Sequence, residues 1–275
     1  MTKCKFQVFI LAGLLVLFTP QAIKAEAIQS NQRGVLPLRV MTFNIHGGIN
    51  WSGVFDLNSL ADCIRENDPD IVGLQEVDLA WSSMSGFHDI PSELAERLHM
   101  YYAFAASRER NNGYFGNLIL SKYPILQQWT CLLPGNLEQR SLAFIQIMVG
   151  GEKINFLTTH LGLSESDRLQ QVAVINEFVN QVTGPIIISG DFNGSDNDPA
   201  VKELKQNLLD LQEISDYRDC GTFRSKDGTL NPTSKMDYIL VTPELSFSKF
   251  QVVDNYISDH VPLIAELTLQ LSADK

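Results

Sequence analysis

The sequence predicts an α/β fold, a mixed β-sheet architecture with helices packed outside it. Three observations carry this. Pro185–Asn193 reads PIIISGDFN, apolar β-branched residues running into Ser-Gly and then Asp-Phe-Asn. That is the pattern of a strand buried on both faces and closed by a tight turn at Gly190. Strand-like runs alternate with segments of three- and four-residue apolar spacing along the chain, as when helices cover a sheet. Gly150-Gly151 joins two strand-like runs directly, an antiparallel hairpin signal that makes the sheet mixed.

The chain opens differently. Lys3 and Lys5 precede an apolar run from Val8 to Phe18, closed by Pro20, with the small residues Ala25 and Ala27 after it. Basic, apolar and small-residue parts in that order predict a signal peptide over residues 1–25. Eleven apolar residues reach about half of the ~20 a membrane-spanning helix needs, so no transmembrane segment is expected in the mature chain. The expected location is secreted or periplasmic, with one domain over residues 28–275.

Leu38–Ile45 reads as a strand that ends in Asn44 and then His46-Gly47-Gly48. Leu57, Leu60, Ala61 and Ile64 mark a helix capped by Asp56 and stopped at Asn67-Asp68-Pro69. Asp70–Val77 is the next buried strand, with Glu76 near its carboxyl end. A charged residue there either exits at the surface or serves as a metal or ion-pair ligand. A helix over 92–99, a strand over 101–106, a polar loop over 107–112 and a strand over 113–121 follow.

The hairpin strands are Arg140–Val149 and Glu152–Thr159, the second running into His160. Ser164–Val182 is the clearest helix, with acidic residues in its first turn. Arg168 lies in that turn, where it can contact an anion or pair with a neighbouring acid. Beyond Asn193 come a helix over 199–208, a strand with Asp237 near its start, a strand over 247–254, the turn Ser258-Asp259-His260-Val261-Pro262, and a last strand over 263–271.

Composition narrows the function. The chain is 44% hydrophobic and 19% charged, with net charge −11. Removing residues 1–25 leaves 18 basic against 32 acidic side chains, −14. Such a surface disfavours general capture of nucleic acid, so nucleic acid is a possible partner but not the favoured one. Three cysteines remain after cleavage (Cys63, Cys131 and Cys220), too few for a disulfide framework. Meanwhile Asn44, Glu76, His160, Asp191, Asn193, Asp237, Asp259 and His260 all sit at strand ends or tight turns. An oxygen-rich set with two histidines suits a hard cation and proton transfer, and so metal-assisted hydrolysis by water.

Seven motifs in order, TFNIHGG at 42–48, LQEV at 74–77, GNLILSKYP at 116–124, TTHL at 158–161, GDFN at 190–193, MDYI at 236–239 and SDHVP at 258–262, resemble the endonuclease/exonuclease/phosphatase superfamily. The resemblance implies a four-layer α/β sandwich, two sheets face to face with helices outside, and a site at one rim. It implies a Mg2+ or Mn2+ site at Glu76, with Asn44 beside it as a candidate ligand and Asp259 as a further ligand or metal-linked acid. It makes His260 the contact to the scissile phosphate, Asp237 the acid that orients it, and Asp191 the residue that positions or deprotonates water. Asn193 would contact the phosphate, and His160 is a second histidine acting as acid or phosphate ligand; Asn44 and, from its place in the helix, Arg168 are further candidate substrate contacts. Lys235 stands where many members have Arg and lacks the bidentate fork of a phosphate clamp. Phe115 stands where many have Tyr, with Tyr114 displaced by one residue onto the other face. The expected activity is phosphodiesterase or phosphatase action on a small or lipid-linked phosphoester by a monomer. The alternatives are a secreted endonuclease and a non-catalytic binding module.

Overall fold

The computed structural model describes residues 35–270; the expected signal peptide lies outside them. Among the described residues no helix is long and apolar enough to cross a membrane.

Among the described residues, twelve strands form two six-stranded sheets. The first contains β1 (Val35–Asn44), β2 (Ile71–Leu79), β3 (Tyr101–Arg110), β4 (Gly113–Ser121), β11 (Ser246–Val252) and β12 (Leu263–Gln270), in the order β11-β12-β1-β2-β4-β3. The second contains β5 (Ile125–Leu133), β6 (Arg140–Val149), β7 (Glu152–His160), β8 (Ile186–Asp191), β9 (Leu209–Asp210) and β10 (Asp237–Val241), in the order β5-β6-β7-β8-β10-β9. Both sheets are mixed: β1 and β2 run parallel, as do β7 and β8, and the other pairings are antiparallel.

The layers follow from which faces are apolar. Val40, Ile71, Ile119, Ile145, Phe156, Ile187 and Ile239 meet between the sheets. Helices α1 (Leu57–Asn67) and α2 (Ile90–Leu98) bury Leu60, Ile64 and Leu94 against the outer face of the first sheet. Helices α3 (Glu165–Val179) and α4 (Pro199–Leu204) bury Val172, Ile175 and Val201 on the outer face of the second. This is the expected four-layer sandwich, and each fully buried Ile or Leu contributes roughly 1.5–3 kcal/mol of transfer free energy to it. Asp56 caps α1 as expected, accepting from Ser59 N, and Ser164 caps α3, accepting from Asp167 N.

Towards one rim the space between the sheets turns polar. Gln75 Nε2 on β2 donates to Thr158 Oγ1 on β7 at 2.8 Å and to Thr42 Oγ1 at 3.2 Å. Asn117 Nδ2 on β4 donates to Ser141 O on β6 at 2.8 Å. A side chain at Gly73 would meet Ser189 Oγ and Thr158 Oγ1 at 2.6 Å, so glycine there lets the sheets close. These bonds set the two sheets in register beneath the rim.

Three elements differ from expectation. The polar stretch 107–112 is not a loop: β3 continues through Arg110, and Asn111 and Asn112, both at positive φ, make a two-residue turn into β4. Asparagine tolerates that region better than most residues, which suits such hairpin turns. Strand β5 and the two-residue β9 were not read at all. β5 is an edge strand with most side chains in solvent, so the apolar alternation that marks a half-buried strand is missing.

Candidate active site

Strand direction gathers the polar residues. Parallel strands β1 and β2 both end at the rim, bringing Asn44 and Glu76 there; β7 and β8 do the same for His160 and Asp191, which face each other in register. The antiparallel neighbours start at that rim, so Asp237 opens β10 opposite Asp191. Asp259 and His260 immediately precede β12, whose Leu263 pairs with Thr42.

Local distortions aim the side chains. The β2–β4 register shifts between Leu74 and Val77, and Glu76 in that bulge has φ 57°. Bulges re-aim side chains, and a non-glycine residue in this region is strained. Gly190 has φ 141°, and a Cβ there would meet Thr159 O at 1.9 Å, so only glycine fits before Asp191. Asp191 Oδ1 accepts from Asn193 N at 2.9 Å, an Asx-turn, while its other oxygen turns to the site.

Asp191 Oδ2 is the centre. It accepts from Asn44 Nδ2 at 2.9 Å and lies 3.4 Å from His160 Nε2 and 3.5 Å from His260 Nε2. Asn44 Nδ2 also donates to Glu76 Oε1 at 3.0 Å, and Asn44 Oδ1 accepts from His46 N at 3.1 Å. Asn44 is thus a fully buried bridge between the two carboxylates. Both its Nδ2 hydrogens go to the two carboxylates, while Oδ1 accepts one backbone bond and keeps a second lone pair.

The histidines differ in charge. His260 Nδ1 lies 2.8 Å from Asp237 Oδ2, and the ring packs 4.9 Å from Phe223. Burial disfavours its imidazolium, but Asp237 and Asp191 outweigh burial and push His260 up to about 10. Asp237 is itself raised to about 6, by burial and by the charge of Asp191; at neutral pH the pair is carboxylate and imidazolium. Burial lowers His160, with Arg140 acting in the same direction. Asn193 Nδ2 donates to Leu161 O at 2.9 Å and meets His160 Nε2 at 2.8 Å. A carbonyl only accepts, so the amide nitrogen is fixed there, His160 Nε2 accepts, and the ring proton sits on Nδ1. That atom is buried without a partner, 3.9 Å from Glu76 Oε1. Asn193 therefore positions His160; both its amide hydrogens are engaged. Burial raises Asp191, yet the His260 imidazolium and the hydrogen bonds from Asn193 N and Asn44 hold its carboxyl below the usual range.

Glu76, His160, Asp191, Asn193 and His260 line a pocket of about 260 Å³, and Asn44 and Asp237 stand outside its lining. Asp259 lines it too, accepting from Ser258 Oγ at 3.1 Å, with His46 Nδ1 3.8 Å away. Among the described residues, two sets of ligand atoms fall within 4.8 Å of one another: Glu76, His160 and Asp191, and Asp191, Asp237 and His260. Asp259 belongs to neither. The ligand atoms are mostly carboxylate oxygens, from Glu76, Asp191 and Asp237, and hard oxygen donors of this kind fit a divalent cation.

Arg168 is not in the pocket. Its guanidinium donates to Gly162 O at 3.1 Å and Leu163 O at 2.8 Å and pairs with Asp198, the α4 cap. It braces the loop after β7 and contacts no anion site. Lys235 is likewise buried, on Asp210 Oδ2 at 2.7 Å and Asp196 Oδ1 at 3.0 Å. The pocket holds three charged residues that the sequence reading missed, Arg108, Glu138 and Arg140, and Phe115, with Tyr114 outside its lining. Arg140 opens an apolar strand, the same signal that marked Asp237. Arg108 sat in the stretch misread as a loop.

A two-sheet sandwich with carboxylates, histidines and arginines at one rim is a phosphoesterase fold. A profile of the Endonuclease/Exonuclease/phosphatase family matches residues 41–260, and the chain belongs to that family. It is 28% identical over 254 residues to Uncharacterized protein YbhP of Escherichia coli (strain K12), covering 84% of this chain and 96% of that protein. It also resembles a mannosyl-6-phosphatase of Bacteroides thetaiotaomicron, with TM-score 0.71, 20% identity and coverage of 84% and 99% of the two chains. A further likeness is to D. rerio TDP2 in complex with single-strand DNA product, with TM-score 0.67, 18% identity and coverage of 84% and 98%.

Proposed function

We propose that this chain is an exported, divalent-metal-dependent hydrolase of small or lipid-linked phosphoesters. The observation that carries the reading is Asp191 Oδ2, set within 3.5 Å of two histidines of opposite protonation state. In this reading Asp191 orients water and accepts its proton. His260, held by Asp237 through Nδ1, presents Nε2–H to the phosphoryl oxygens and stabilises charge building there. His160, neutral and steered by Asn193, bonds the phosphoryl group or the leaving oxygen. Glu76 is the principal ligand for Mg2+ or Mn2+, Asp259 the second acid, and Asn44 holds Glu76 against Asp191. A bound cation would polarise the phosphoryl oxygen and offset its charge.

The test is a panel: a phosphomonoester, a bis-aryl phosphodiester, sphingomyelin, inositol phosphates and plasmid DNA, each with and without chelator. We expect turnover of at least one small or lipid phosphoester, silenced by chelation and restored by Mg2+ or Mn2+. DNA should be poor, because the chain carries −11 and phosphate backbones reward basic surfaces. Glu76→Gln should raise the metal concentration for half-maximal activity by about tenfold or more, since it removes a charge that compensates cation dehydration. Activity that survives exhaustive chelation refutes the mechanism, and efficient plasmid cleavage promotes the nuclease reading. Bound metal with no turnover on the whole panel favours a binding module.

Export is a separate expectation. Sequencing the amino terminus of protein recovered outside the cytoplasm should find a start near Glu26 or Ile28; a cytosolic protein starting at Met1 would contradict it.

A further inference from the structure

The pocket has two walls of opposite charge. Glu76, Asp191 and Asp259 make one; Arg108 and Arg140 make the other, bridged by Glu138. One Glu138 oxygen pairs with Arg108 Nη1, and the other lies 2.7 Å from Arg140 Nη2. One carboxylate thus answers two guanidinium charges, leaving a net positive charge on that wall of the pocket. Both Nε atoms are buried without a hydrogen-bond partner. Arg168, which braces the fold, has an unpartnered Nε as well; what sets Arg108 and Arg140 apart is that they line the pocket, where a guanidinium suits an arriving oxyanion.

The two arginines differ in depth. The Arg140 side chain is 5% exposed, and that of Arg108 is 32% exposed. The Arg108 guanidinium lies 4.3 Å from the Phe115 ring centroid and 5.4 Å from that of Trp81. Aromatic faces on one side and Glu138 on the other hold its plane before any ligand arrives.

We propose that Arg108 is a specificity residue for a second anionic group, so that the preferred substrate is a small phosphoester carrying a further phosphate beyond the scissile one. Arg140, deeper and beside His160 and Asp191, takes the scissile phosphate; Arg108, further out, takes the second. The inference rests on the phosphoesterase reading above. A pocket of about 260 Å³ in an acidic chain suits a sugar bisphosphate better than a polyanion.

The experiment uses calorimetry on metal-stripped protein, with fructose 1,6-bisphosphate and fructose 6-phosphate as probes, followed by hydrolysis of both with Mg2+ restored. Wild type should bind the bisphosphate about tenfold more tightly or better, as a charge-assisted pair would give. Arg108→Met keeps an apolar stem against Phe115 and Trp81, and the ratio should collapse towards one. Arg108→Lys restores charge without the fork and should fall between; it decides the matter if the Met variant does not fold. Equal affinities in wild type, or a ratio that Arg108→Met leaves unchanged, would overturn the proposal. So would tighter binding of a short single-stranded oligonucleotide than of the bisphosphate. Binding preference without hydrolysis of any phosphoester removes the enzymatic reading and leaves Arg108 standing; hydrolysis without preference does the opposite.

Discussion

Asp191→Asn should lower kcat by about 1000-fold, within the range removed with a general base. The change is isosteric, yet both carboxylate oxygens accept hydrogen bonds, from Asn193 N and from Asn44 Nδ2. An amide must turn its NH2 towards one of those donors, at a cost of about 1–3 kcal/mol. The melting temperature should therefore fall by roughly 2–10 °C, with the fold kept. Activity is to be compared well below that melting temperature and at saturating metal. Loss of stability with near-normal kcat would make Asp191 a brace for the rim and remove it from the chemistry.

The second large effect is at His260. His260→Ala should reduce kcat by about 100-fold or more, because it removes the imidazolium aimed at the pocket. It also strips Asp237 of its partner. Burial and Asp191 already raise Asp237 to about 6, so the orphaned acid can take up a proton and the loss of stability should stay modest. Asp237→Asn keeps the imidazole and should cost less than His260→Ala. The double variant should be little worse than His260→Ala alone, since residues acting as a unit are not additive. Fully additive losses, or a His260→Ala protein with near-normal kcat, would take the pair out of the mechanism.

The two expectations rest on different parts of the chain being legible. Asp191, Asn193, Glu76 and His160 stood out because each is a polar residue at the end of an apolar strand. The N-cap Asp56 was equally plain, as capping is a local hydrogen bond three residues long. Arg168 misled for a related reason. Its place in the first turn of α3 is local, but its partner Asp198 lies thirty residues on, and no local rule chooses between an anion and that acid. Arg108, Glu138 and Arg140 were missed because they come from a strand read as a loop, a connecting segment and the start of β6, and only sheet pairing joins them.

By itself the sequence determined the helices and most of the strands, that strands carry polar residues at one end, and that the rim would hold carboxylates and histidines. Period-2 and 3.6-residue patterns and caps are set by neighbours along the chain. The tertiary structure alone decided that β1, β2, β7 and β8 end at the same rim, and that a bulge at Glu76 turns its carboxylate there. It alone made one histidine neutral and the other charged, and gave the pocket a cationic wall. Those properties depend on burial and on charges brought together from distant positions, where a carboxylate a few ångströms away outweighs anything adjacent in sequence.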